Sequence, residues 1–276
     1  MKSIMRYIAA ALAVLLLTAS ALAGLAWVLT TEQFALAVNA GDVQENQQKC
    51  IETHASALTQ AWGLLPETLA PSVAGAARRQ SEAMAAWWSR LWRDPDADAE
   101  MPAFLDPGEE RNLVAAIMAD EGFAAAVEES QRRAVARDEI AYGLEEAVCE
   151  AVTPLRRSIV GMAAALGMEK MDLTLLPGAL LIAAGALLLL ALPLLAVAHR
   201  ALGSTLAASG VTMALLSLPV WWMDICGMLV ELSPLAALQG VNALRSLAIL
   251  WYGAALVLLA LGMIIIGVKK ARGGRA

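Results

Sequence analysis

Residues 173–198 read LTLLPGALLIAAGALLLLALPLLAVA, 26 positions without a charged side chain. At about 1.5 Å of rise per residue, a helix of this length covers the roughly 30 Å hydrocarbon core of a bilayer. Three more stretches share the property: Tyr7–Thr31, Ala201–Met223 and Ser246–Val268, of 25, 23 and 23 residues. Apolar residues make up 59% of the 276. They are gathered into these blocks rather than spread as in a soluble core. The expected fold class is an all-α integral membrane protein with four transmembrane helices, one before and three after a large helical extracytoplasmic domain.

The formal net charge of −6 hides a segregation. Residues 32–172 hold 24 acidic and 12 basic side chains. By contrast, Lys2, Arg6, Arg200, Lys269, Lys270, Arg272 and Arg275 lie in segments with no acid. Cytoplasmic segments near spans collect Lys and Arg, so both termini and the turn at His199 are expected in the cytoplasm. The boundaries follow. Residues 1–6 form a cytoplasmic N-terminus, 7–31 the first transmembrane helix and 32–172 the extracytoplasmic domain. Residues 173–198, 205–223 and 246–268 form the remaining spans. A cytoplasmic turn (199–204), an outer interfacial loop or helix (224–245) and a basic cytoplasmic tail (269–276) complete the chain. Trp27, Trp221, Trp222, Trp251 and Tyr252 are expected at the outer headgroup level, which amphipathic rings favour. Lys2 and Arg6, the apolar run and Ala21-Leu22-Ala23 also match the parts of a secretory signal. The apolar run continues through Leu29, which favours an uncleaved anchor.

Between the first two blocks the pattern is helical. Asp106-Pro107-Gly108-Glu109 has an N-cap acid, proline at the first helical position and glutamate at the third, the capping-box arrangement. Asp120 is expected to cap a helix running to about Ala151, and Thr153-Pro154 to restart the chain. Gln47–Trp62 and Ser72–Trp92 carry apolar residues at helical spacing. Trp62, Trp87, Trp88 and Trp92 are the expected large core pieces. Asp94, Asp96, Asp98 and Glu100 alternate as in a calcium loop. However, the sixth and twelfth positions are Ala99 and Leu105, which departs from the EF-hand pattern and favours a solvated linker. Ser233-Pro234 is expected to start a surface helix with Leu235, Leu238 and Val241 towards lipid and Gln239 and Asn242 towards water. Ser20, Gly24, Gly178, Gly185, Gly253 and Gly262 offer small surfaces for close helix contact.

Chemistry-bearing groups are few. The candidate proton carriers are His54 and the carboxylates Glu52 and Asp224. His54, beside Ile51 and Leu58, is expected to be packed in the core rather than catalytic. Cys50 and His54, and Glu145 and Cys149, stand four residues apart. Were those two helix faces to meet, the four would form a candidate zinc set. The simpler alternatives for Cys50 and Cys149 are a disulfide with Cα atoms under about 7 Å apart, or two buried thiols. Asp224 is expected at the outer headgroups. No cofactor motif is present, and the acidic domain disfavours nucleic acid. The lipid bilayer is an expected partner. The expected role is a non-enzymatic multi-pass protein whose outer domain binds a protein or envelope component. An enzyme acting on a lipid or lipid-linked substrate, and a transporter or channel subunit, are the alternatives.

Overall fold

The computed structural model describes residues 2–94, 102–154, 173–216 and 234–273. Every regular element among them is helical. In chain order these are α1 (Lys2–Val28), α2 (Glu32–Val38), α3 (Asp42–Trp62), α4 (Pro66–Val73) and α5 (Ala76–Leu91). They continue with α6 (Pro107–Ala119), α7 (Glu121–Ala126), α8 (Arg132–Ala134), a π-helical stretch Val135–Ala141 and α9 (Tyr142–Val152). Last come α10 (Leu176–Val197), α11 (Leu202–Leu216) and α12 (Pro234–Gly273), with 3-10 turns at Leu173–Leu175 and His199–Ala201. Three helices are long and apolar enough to cross a membrane: Ile4–Val28, Leu176–Val197 and Pro234–Ala271. The third expected span begins as the apolar α11. Its remainder, together with Trp221, Trp222, Asp224 and Cys226, lies outside the described residues, as do Asp96, Asp98 and Glu100.

The chain divides into two compact units. The first takes Met1–Phe34, Asp172–Ile225 and Ala243–Ala276, and the second Ala35–Met171 and Cys226–Asn242.

In the first unit α1 packs along α10, and the Ser20 hydroxyl donates to the Ala184 carbonyl at 2.8 Å. An antiparallel register through that bond sets Ala13 opposite Ala191, and both are fully buried. α11 and α12 approach until backbone meets backbone. A methyl group on Gly262 would stand 2.5 Å from the Ala207 nitrogen and 2.6 Å from the Gly203 carbonyl. One on Gly210 would stand 2.5 Å from the Ala255 carbonyl. Small residues are what let helix backbones approach this closely. The expected contact glycines are thus partly corrected. Gly24, Gly178, Gly185 and Gly253 have open space where a side chain would go; Gly203, Gly210 and Gly262 make the contact. Trp251 packs between helices. It is buried, and its indole N–H donates to the Met213 carbonyl. A buried indole needs such a partner.

The second unit is a helical bundle around α3, which packs on α4, α5 and α9. Ile51, Trp87, Ile117, Phe123, Ile140 and Leu144 are all at most 1% exposed and anchor one continuous core. Of the four tryptophans, Trp87 is the central piece. Trp62 and Trp88 pack partly buried against the core, and Trp92 meets Trp88 edge-on at 5.5 Å and 71°. The capping box at Asp106 forms as the sequence reads: its carboxylate accepts from the Gly108 and Glu109 amides, and Glu109 accepts from the Asp106 amide.

Two helix expectations are corrected. Ser72–Trp92 is broken at Gly75, whose φ of +70° suits glycine and no branched side chain. The helix capped by Asp120 ends at Ala126. There Val127 turns extended, and the Arg132 guanidinium donates to the Val127 and Ala124 carbonyls that a continuing helix would have used. The chain resumes as helix at Arg132. A third correction concerns the segment after Pro234. It is no surface helix with Gln239 and Asn242 in water. Pro234–Gly273 is one 40-residue helix, and its first nine residues complete the second unit. Ala236, Ala237 and Gln239 are buried there, while Leu235 packs on the core and Val241 is exposed. Burying one side of this helix against the bundle reverses the faces that amphipathicity alone suggests.

Candidate functional site

α3 carries most of the candidate residues, and its packing decides their fates. Val43, Gln47, Ile51 and Ala55 form its buried stripe. A stripe of fourth residues drifts by about 40° per step, so at the level of Ala55 it lies about 100° from His54. His54 and Glu52 are therefore exposed, which overturns the expectation of a core histidine. Cys50 and Cys149 are half-buried thiols that are not joined in a disulfide. Cys50 packs against the core, and the Gln80 amide reaches the Cys149 sulfur at 3.9 Å. Glu145 is committed elsewhere: its carboxylate accepts from the Phe104 amide at 3.2 Å and so ties the chain before α6 to α9. Among the described residues no three His, Cys, Asp or Glu side chains group to hold a metal ion. The four-residue zinc set is thus not assembled, because His54 faces solvent and Glu145 serves a backbone amide. Asp224 lies outside the described residues.

What α3 presents instead is an open groove against the α4–α5 corner, where Gln44, Glu45, Gln48, Lys49, Glu52 and Arg78 stand among Gly41, Ala74, Gly75 and Ala77. Lys49 and Glu52 also line a second depression, which follows α3 to Gln60. The floor is fixed by Gln48. Its Nε2 donates to the Val73 carbonyl at 2.9 Å, and its Oε1 accepts from the Ala77 amide at 3.2 Å. One side chain thereby serves the last carbonyls of α4 and the first amides of α5, groups that helix ends leave unpaired. On the rim, Lys49 and Glu45 pair at 2.7 Å. The hydrogen bond from Lys49, with its charge, lowers the Glu45 carboxyl below its ordinary value, and the same contact raises Lys49. Both side chains are about two-thirds exposed. Arg78 pairs with Glu82 at 3.8 Å. Exposed pairs of this kind contribute little to stability, so they can exchange partners with an incoming polar surface at small cost.

Two buried polar groups were not legible as such. Asp120 is only 5% exposed. It accepts from the Leu65 amide at 2.9 Å, the Phe123 amide at 3.0 Å and the Thr68 hydroxyl, so it caps α7 and ties it to the start of α4. Burial is the largest influence and pushes its carboxyl up. The Thr68 hydroxyl and the Phe123, Leu65 and Gly122 amides together outweigh burial, and the net direction is down. The second group is an amide seam. The Asn39 side-chain Oδ1 accepts from Gln47 at 3.2 Å and Gln239 at 2.6 Å, and the Gln47 Oε1 in turn accepts from Ser81 at 3.4 Å. Gln239 also donates to the Val152 carbonyl at 3.2 Å, and Asn242 donates to the Val38 and Ala40 carbonyls. Gln47 carried a signal: an uncharged polar residue between Val43 and Ile51 on an apolar stripe must find a buried partner.

Set against known protein families, characterised proteins and solved structures, the chain shows no significant match in any of the three comparisons.

Proposed function

We propose that this chain is a four-span membrane protein, both termini cytoplasmic, that displays residues 32–172 outside and uses that helical domain to bind a protein or another envelope component. Charge segregation carries the proposal: 24 acids and 12 bases in residues 32–172, against seven bases and no acid in the inner segments. Three apolar helices of sufficient length agree with it. The groove along α3 is the docking surface we assign. Its charges are exposed, its floor is held by Gln48, and its mixed signs suit a polar partner of mixed charge.

The test has two arms in a background lacking native cysteines. Cysteine placed at Gln44 should react with a membrane-impermeant thiol reagent in intact cells, and cysteine at Gly274 should not. Equal reaction of both removes the topology. A photo-crosslinker at Glu52 should give a discrete adduct that Glu45→Lys with Lys49→Glu abolishes at unchanged protein level. A crosslinker at Tyr142, exposed and outside the groove, serves as control. An identical adduct from Tyr142 removes the groove assignment.

A further inference from the structure

Basic residues far apart in sequence meet at one end of the membrane unit. The Lys269 ammonium donates to the His199 carbonyl at 2.8 Å, joining the end of α12 to the turn between α10 and α11. Contact of Gly203 with Ile266 and of Gly210 with Leu259 gives the antiparallel register that brings those ends together. The α1–α10 register through Ser20 and Ala184, with Ala13 opposite Ala191, continues to place Arg6 opposite Ala198, one residue before His199. Arg6, His199, Lys269 and Lys270 therefore share one end of the unit. No Asp or Glu occurs in residues 1–31, 173–216 or 246–276.

Apolar side chains flank the Arg6 and Lys269 cations. Ile4, Met5 and Ile8 are each more than half exposed around Arg6, and Ile264, Ile266 and Val268 are each more than 40% exposed just before Lys269. Along α12 the surface is apolar up to Val268 and basic from Lys269 on, which matches the boundary between acyl chains and headgroups. We infer that this end is a binding surface for anionic phospholipid headgroups. The anion it takes is a phosphate carried on acyl chains, because the cations directly continue a lipid-facing surface. A hydrogen bond to a carbonyl leaves the Lys269 charge intact. The inference rests on the proposal that these helices span a bilayer, and adds the lipid class.

The full chain is reconstituted in nanodiscs of phosphatidylcholine with one quarter phosphatidylglycerol, and the lipids it retains on release into detergent are weighed by native mass spectrometry. Phosphatidylglycerol should be enriched, with the preference falling about fivefold for each basic residue removed in Arg6→Gln, Lys269→Gln and Lys270→Gln. The conservative Lys269→Arg, which keeps charge and fold, should retain it. Retention in proportion to the mixture, or a preference unchanged in the triple variant, overturns the inference. Loss of the preference to millimolar inorganic phosphate overturns it in favour of a soluble anion. Both leaflets of the disc have the same composition, so this measurement does not depend on sidedness. Cysteine labelling at Gly274 reports the topology separately.

Discussion

The two units are held together by opposite means. In the membrane unit the closest contacts are made where side chains are missing, at Gly203, Gly210 and Gly262. In the helical unit they are made by side chains that satisfy one another, around Trp87 and along the seam of Asn39, Gln47 and Gln239. On the proposed membrane topology, water explains the difference. Where the unfolded chain is solvated, burying a tryptophan gains much and a buried amide must be matched. Where lipid surrounds the helices, only closeness remains to be gained.

The comparison breaks most visibly at Trp87. Trp87→Ala should cost the helical unit about 3–5 kcal/mol, read as a large drop in its thermal unfolding midpoint. A drop of under about 1 kcal/mol would mean that the core around α3 repacks freely. Next in size, Gly262→Val pushes a branched side chain into the backbone of α11. Overpacking of this kind costs about 1–3 kcal/mol, and protease protection of the membrane unit in detergent should fall while that of the helical unit persists. Gly253→Val, at an open position, should change neither.

Asp120 sharpens the other side. Asp120→Asn replaces an acceptor with a donor facing the Leu65 amide or the Thr68 hydroxyl, and should cost about 1–3 kcal/mol at neutral pH. Its lowered pKa fixes the sign. The stabilisation is fully present above the ordinary carboxylate value of about 3.9 and is lost as pH falls through the folded value. Denaturant midpoints of wild type and variant should therefore converge in acid, and a gap constant down to pH 2 would refute the ionised cap. The smallest effect belongs to His54. His54→Ala, at an exposed position, should lie within about 0.5 kcal/mol of wild type and leave cellular function intact. A stable His54→Ala protein without function would instead favour an enzyme at the outer face.

The helical class, the capping box at Asp106 and the apolar helices were legible because local rules decide them: run length, helix period and N-cap chemistry. The fates of His54, Gln239 and Asn242 were not. Helical period shows that a helix has two faces, but tertiary packing decides which one is covered. For α3, the face is chosen by α4, α5 and α9. For the start of α12, it is chosen by Asn39 and Val152, which lie about 200 and 90 residues earlier. The zinc set failed for a related reason. Spacing of four puts Cys50 near His54 on one helix and Glu145 near Cys149 on another, yet says nothing of the angle at which the two faces meet. The break at Val127 was hidden because its cause, the reach of Arg132 back to two carbonyls, lies on the far side of the turn.

The membership of residues 234–242 in the helical unit imposes an order on biosynthesis. When Val152 leaves the ribosome the bundle still lacks Leu235, Gln239 and Asn242, and about 90 residues must follow before Asn242 exists. At roughly 5–20 residues per second, the nascent bundle waits seconds with Asn39 unsatisfied by Gln239 and the Val38 and Ala40 carbonyls open. The unit therefore closes after translation of the intervening segments, so a ribosome stalled before Asn242 holds an unfinished bundle.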